Sequence, residues 1–98
     1  MKILFPEKIE EFVSHHSDAR DALERWSGIL VSAEWKHHAD VKRDFPSADY
    51  VGNNRYVFNI KGNHYRTVVL LVFFAGTAAI RFIGTHNEYD KIKDIKNI

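Results

Sequence analysis

The sequence predicts an α+β domain in which helices from the first half lie on one face of an antiparallel sheet made by the second. Two observations carry this. Apolar residues recur at helical spacing up to Ala33, and from Tyr56 onward β-branched and aromatic runs alternate with glycine-containing turns. No linker, repeat or low-complexity tract divides the chain, so residues 1–98 are expected to form one domain.

Taken in order, Lys2–Phe5 reads as a short strand. Pro6 suits the start of a helix, where its missing N–H would be unpaired anyway. Ile9, Phe12 and Val13 then supply the i, i+3, i+4 positions of one apolar face. Ser17 and Asp18 restart the pattern as candidate caps. From there Ala19, Ala22, Leu23, Trp26, Ile29, Leu30 and Ala33 make an amphipathic second helix, interrupted only by Gly28. Asp40–Asp44 forms a further turn that Phe45-Pro46 stops. In the second half, Tyr56–Ile60 is a strand and Lys61-Gly62-Asn63-His64 a turn. Tyr65–Phe74 is nearly all apolar, as a strand covered on both faces would be. Ala75-Gly76-Thr77 turns the chain into Ala79–Ile83, which Gly84 is expected to break. Thr85-His86-Asn87-Glu88 matches the S/T-x-x-E capping box, with Tyr89, Ile92 and Ile95 continuing an apolar helical stripe.

Composition narrows the function classes. With no cysteine there is no disulfide framework and no thiolate metal site. The opening Met1-Lys2-Ile3-Leu4-Phe5 is too short for a signal peptide's apolar segment, and no run approaches the ~20 residues of a membrane helix, so a cytoplasmic protein without membrane contact is expected. Net charge is only +1, but it is unevenly spread. Residues 1–49 hold seven Lys/Arg against ten Asp/Glu, and residues 50–98 hold seven against three. No acid occurs from Tyr50 to Asn87, while Arg55, Lys61, Arg66 and Arg81 do. That asymmetry points to an anionic partner for one face, or to a sheet that simply carries few charges.

The familiar catalytic signatures are missing: no G-x-S-x-G, P-loop, H-E-x-x-H or dinucleotide fingerprint. The adjacent pairs His15-His16 and His37-His38 diverge on either a helix or a strand, so they read as solvated histidines rather than metal ligands. No metal and no cofactor is expected. Strand alternation puts Arg81 on the face opposite Ile80 and Phe82, and puts Asn59 and Lys61 on one face. An arginine within a sheet pairs with a carboxylate or faces an anion. For Arg66 and Arg81 the carboxylate would come from the N-terminal helices or from Asp90. If Thr85 caps the last helix, His86 sits in its first turn, where free N–H groups attract phosphate and disfavour imidazolium. Tyr89 lies on the same helical face. Arginines, an imidazole and a phenol suit metal-free RNA cleavage, in which the 2′-hydroxyl is deprotonated, the phosphorane stabilised and the 5′-oxygen protonated.

The runs Arg55–Ile60, Gly62-Asn63, Tyr65-Arg66 and Arg81–Asp90 resemble the HigB family of bacterial toxins, in the RelE/ParE superfamily. Trp26, Trp35 and Asp44-Phe45-Pro46 fit the same family. The resemblance implies a RelE-like fold, with two N-terminal helices on a four- to five-stranded, mostly antiparallel sheet and a short C-terminal helix. It implies a toxin of a type II toxin–antitoxin system, a metal-independent endoribonuclease that cuts mRNA in the ribosomal A site. The implied partner is a HigA-type helix-turn-helix antitoxin, through which alone the complex touches operator DNA. By motif position Arg66, His86 and Tyr89, joined by Arg81 from the acid-free sheet, are the expected catalytic set. Arg55, Lys61, Asn63 and His64 are expected to bind RNA. The chain lacks the sheet carboxylate that some relatives use, which shifts acid–base duty to His86 and His64. The alternatives are a non-catalytic toxin of the same fold that binds a protein target, a degenerate toxin serving as co-repressor, or a plain RNA-binding module. The sheet lacks the stacked aromatics of the last.

Overall fold

A computed structural model describes residues 1–98. Strand β1 (Lys2–Leu4) leads through Phe5 (φ 61°) and Pro6 into helix α1 (Glu7–His15). A 3-10 turn at Ser17–Ala19 joins α1 to α2 (Arg20–Ser32), and α3 (His38–Asp44) follows. Then come β2 (Asp49–Gly52), β3 (Arg55–Ile60), β4 (Tyr65–Val72), β5 (Thr77–Thr85) and the five-residue α4 (His86–Asp90), with a last 3-10 turn at Ile95–Asn97. The sheet order is β1-β5-β4-β3-β2. Only β1 runs parallel to its neighbour; every other pairing is antiparallel. This is the α+β architecture expected, with five strands and with the turn anticipated at Asp40–Asp44 formed as helix α3.

The core forms because both helices present one stripe to one sheet face. Ala19, Leu23, Trp26 and Leu30 are buried along α2, and Val13 along α1. They meet Tyr56, Phe58 and Ile60 of β3, Val69 and Leu71 of β4, and Ala78 and Ile80 of β5. Phe58 is the centre of an aromatic chain, with Trp26 on one side at 5.7 Å and Phe45 on the other at 5.0 Å. Trp35 closes that chain against Phe45 and donates its Nε1–H to Asp44 at 2.8 Å. Ile29, assigned to the buried stripe by spacing alone, is 42% exposed. It lies one position off the 19-23-26-30 row and faces outward.

Three local expectations need correcting, and one strand was not anticipated. Residues Asp49–Gly52 form an edge strand, although Asp and Gly are poor strand formers; pairing with β3 overrides propensity. Gly84 does not break β5, which runs on to Thr85; the Phe82 ring lies where a Cβ at Gly84 would sit. Arg81 does not alternate between Ile80 and Phe82, because β5 bulges there: Val69 pairs with Ile80 but Val68 with Phe82. Beyond Asp90 the helical stripe ends, and Asn97 instead bonds the Asp94 carboxylate in the final turn.

The sheet face away from the helices is not bare. Val57, Val68 and Ala79 project there and are 3%, 0% and 6% exposed. The C-terminal segment crosses over them. Asn53 Nδ2 donates to the Lys96 carbonyl, and both Arg55 and Arg81 donate to that of Ile98. What stays accessible on this face is the end beside α4, where Asn59 and Arg66 share one row with the buried Gly84.

Candidate functional site

The α4 junction is built as its sequence prescribes. Thr85 Oγ1 accepts from Glu88 N at 3.1 Å, and Glu88 Oε1 accepts from Thr85 N at 2.8 Å. Those backbone bonds hold the Glu88 carboxyl below its usual range. His86 N donates to the His64 carbonyl, which extends the β4–β5 ladder by one step. Two of the first-turn N–H groups are therefore occupied, and α4 has only five residues. The helix end is therefore not the open anion site that the His86 position was expected to offer.

Among the side chains, Arg66 meets Asn63 and Tyr89, while His86 pairs with Asp90. Arg66 Nη2 donates to Asn63 Oδ1 at 2.6 Å, and its guanidinium carbon lies 5.1 Å from the Tyr89 ring centroid. Its Nε is buried with no partner, and no carboxylate pairs with it. His86 Nδ1 donates to Asp90 Oδ2 at 2.9 Å, one helical turn on. An imidazole held that way presents Nε2 as an acceptor. Burial first, and the carboxylates of Asp49 and Asp90 after it, push the Tyr89 phenol up against the opposing pull of Arg66. At neutral pH it is a hydrogen-bond donor.

The other candidates are spread more widely. Arg55 Nη1 donates to the Asn53 carbonyl and Nη2 to that of Ile98, at 2.9 and 2.7 Å. Arg81 Nε donates to the same Ile98 oxygen at 3.1 Å, and neither arginine pairs with an Asp or Glu side chain. Arg81 also lines a cleft of about 400 Å³ between α1 and β5, with Lys8, His15, His16, Phe82 and Glu88 among its walls. Lys61 leaves the strand at φ 52° and bonds Asp18 at 2.9 Å, so it does not share a face with Asn59. His64 is exposed beside Asn63 in the β3–β4 turn.

One carboxylate escapes the sequence reading, and another, Asp90, is matched there to Arg66 or Arg81 rather than to His86. Asp49, one residue outside the acid-free run, pairs with Val57 and so projects onto the same face as Arg66. Asp90 is the His86 partner. Its i, i+4 spacing from His86 was the available signal. Two of the paired histidines make specific contacts, although His38 remains exposed. His16 stacks on Phe12 at 4.4 Å, and His38 bonds the Tyr56 hydroxyl at 2.8 Å. No group of three His, Cys, Asp or Glu side chains is placed to hold a metal ion.

Asp18 joins the two halves of the fold, accepting from Lys61 Nζ and from the Tyr65 hydroxyl at 2.7 Å. The Lys61 bond first, and the Tyr65 bond second, hold its carboxyl below the usual 3.8. A depressed pKa contributes stability above the ordinary carboxylate value, lost as pH falls through the folded one. Asp18→Asn is accordingly expected to melt earlier than wild type at pH 7. The gap should narrow from pH ~4 downward; a gap constant from pH 7 to pH 2 contradicts the pairing.

Residues 19–92 match the family model for HigB_toxin, described as the RelE-like toxic component of a toxin–antitoxin system. The chain belongs to the HigB toxin family. Its curated relatives include the "mRNA interferase toxin HigB" of Escherichia coli K12. That protein is 27% identical over 93 residues, covering 92% of this chain and 88% of the relative. The "mRNA interferase HigB" proteins of Escherichia coli O157:H7 and Shigella flexneri match to the same extent. As the toxic half of such a pair, this toxin has an antitoxin partner. No helix in it is long and apolar enough to cross a membrane.

Proposed function

We propose that this toxin is a metal-independent mRNA endoribonuclease that cuts message in the ribosomal A site of the cytoplasm. We further propose that its antitoxin is a HigA-type helix-turn-helix protein, which alone carries the complex to operator DNA. One observation carries the enzymatic reading. Arg66 stands on the open sheet face with no carboxylate partner, fixed by Asn63 and Tyr89 beside the His86–Asp90 pair. A half-buried arginine free of acids is a site for an anion. The names of the curated relatives agree with RNA as that anion.

The chemistry follows from these groups. Arg66 holds the scissile phosphate, with Arg81 as a second cation once it releases the Ile98 carbonyl. Removal of the 2′-hydroxyl proton lets O2′ attack phosphorus, and the bond from phosphorus to the 5′-oxygen breaks. The leaving oxygen takes a proton, so the products are a 2′,3′-cyclic phosphate and a 5′-hydroxyl. His86 transfers a proton through Nε2 while Asp90 fixes its ring. Tyr89, kept protonated, orients Arg66 and donates to the phosphate. Arg55, Asn63 and His64 bind flanking RNA, and Lys61 joins them by giving up Asp18.

Incubation with ribosomes programmed with a defined message tests this. Expected is cleavage within the A-site codon, with cyclic-phosphate and 5′-hydroxyl ends. An intact message, or 5′-phosphate ends, overturns it.

A further inference from the structure

We propose that the tip of the β4–β5 hairpin, centred on Phe74, is the surface on which the antitoxin docks through a segment bearing apolar and acidic side chains. Phe74 is 97% exposed, the most exposed large apolar side chain in the molecule, and Val31 at the end of α2 is 62% exposed. Phe73 bridges them. Its ring packs against Tyr56 at 6.3 Å and lines two grooves, one shared with Phe74 and Leu71, the other with Val31. The grooves measure about 390 and 560 Å³, and Lys36 borders both. Phe74 edges the more apolar of the two grooves and adjoins Phe73, which lines both, so together they form one contiguous exposed patch of the kind that anchors partners.

The position separates this surface from the RNA site. Strand β4 begins at Tyr65 beside the α4 junction and ends at Val72 beneath the tip. Eight residues at ~3.3 Å put the two ends more than ~20 Å apart. The tip contributes nothing to the Arg66 cluster, so Phe74 is exposed for another purpose. Membership in the HigB family supplies the partner, because the toxic half of such a pair must be bound by its antitoxin. Charge selects that partner's chemistry. Lys2 and Lys36 border the patch against the single acid Glu34. Two copies of this chain meeting at the tip would set lysine against lysine, whereas an acidic, apolar segment is attracted.

Binding of the full-length toxin to the antitoxin encoded with it, measured for wild type, Phe74→Asp, Phe74→Leu and Lys36→Glu, tests the assignment. Both positions are exposed, so the variants keep their core. Expected is a loss of ~30-fold or more in affinity for Phe74→Asp. Lys36→Glu should lose several-fold, and Phe74→Leu should stay near wild type. Message cleavage by Phe74→Asp should be unchanged, and antitoxin should no longer relieve growth arrest by that variant. Wild-type affinity in both Phe74→Asp and Lys36→Glu overturns the proposal. So does a wild-type toxin that dimerises through Phe74 while binding antitoxin as tightly as the variant does. Loss of cleavage together with binding in folded Phe74→Asp overturns it as well. If the wild type cuts no message yet Phe74→Asp still loses the antitoxin, the docking surface stands and the ribonuclease reading alone fails.

Discussion

Arg66→Ala is expected to slow single-turnover cleavage of ribosome-bound message by ~10²-fold or more. The substitution removes the one guanidinium on the open face that is fixed by both Asn63 and Tyr89 and has no acid to neutralise it. Its structural role is small, because a cation–π contact at a partly exposed site contributes ~0.5–1 kcal/mol. Each kcal/mol moves the melting midpoint of a domain this size by ~4–8 °C, so the variant should stay folded at assay temperature. Arg66→Lys keeps the charge but loses the planar fork, and is expected to recover only part of the rate. Asn59→Glu gives an independent check. Asn59 pairs directly with Arg66 on the same face, so a carboxylate there occupies the guanidinium. Cleavage should fall as it does for Arg66→Ala with no loss of stability. Cleavage at the wild-type rate in both variants would place the phosphate elsewhere.

Phe58→Ala carries the largest expected cost in stability. The ring is 1% exposed and lies between Trp26 and Phe45, linking α2 to the segment after α3. Truncating a buried phenylalanine costs ~3–5 kcal/mol, because the surrounding aromatics cannot collapse into the space. The melting midpoint should drop by more than ~12 °C. Against a total of ~5–15 kcal/mol for a typical domain, the folded population at 37 °C would shrink measurably. A drop under ~4 °C would mean that α2 and the sheet do not depend on this contact.

Much of the architecture was legible because local pattern and tertiary packing agree. The α2 row, the central apolar strand and the Thr85–Glu88 box each carry a mechanism readable in a few residues. What was hidden depends on partners distant in sequence. The bulge at Arg81 arises only when β5 is laid against β4, and it moves Arg81 out of simple alternation. Asp49 lies on the same face as Arg66 because β2 pairs with β3, a pairing that its own Asp and Gly argue against. Ile92 and Ile95 keep helical spacing, but Asn53, Arg55 and Arg81 draw the C-terminal segment across the sheet. Counting acids along the chain therefore found a basic stretch, while pairing decided which carboxylates face it.

His86 decides whether this face is catalytic. Single-turnover cleavage of one message in programmed ribosomes, compared for wild type, His86→Ala and Asp90→Asn, addresses it directly. The His86–Asp90 pair predicts a ~10²-fold or greater loss for His86→Ala and a smaller loss for Asp90→Asn, with 5′-hydroxyl ends in every residual product. Wild-type rates in His86→Ala would contradict it.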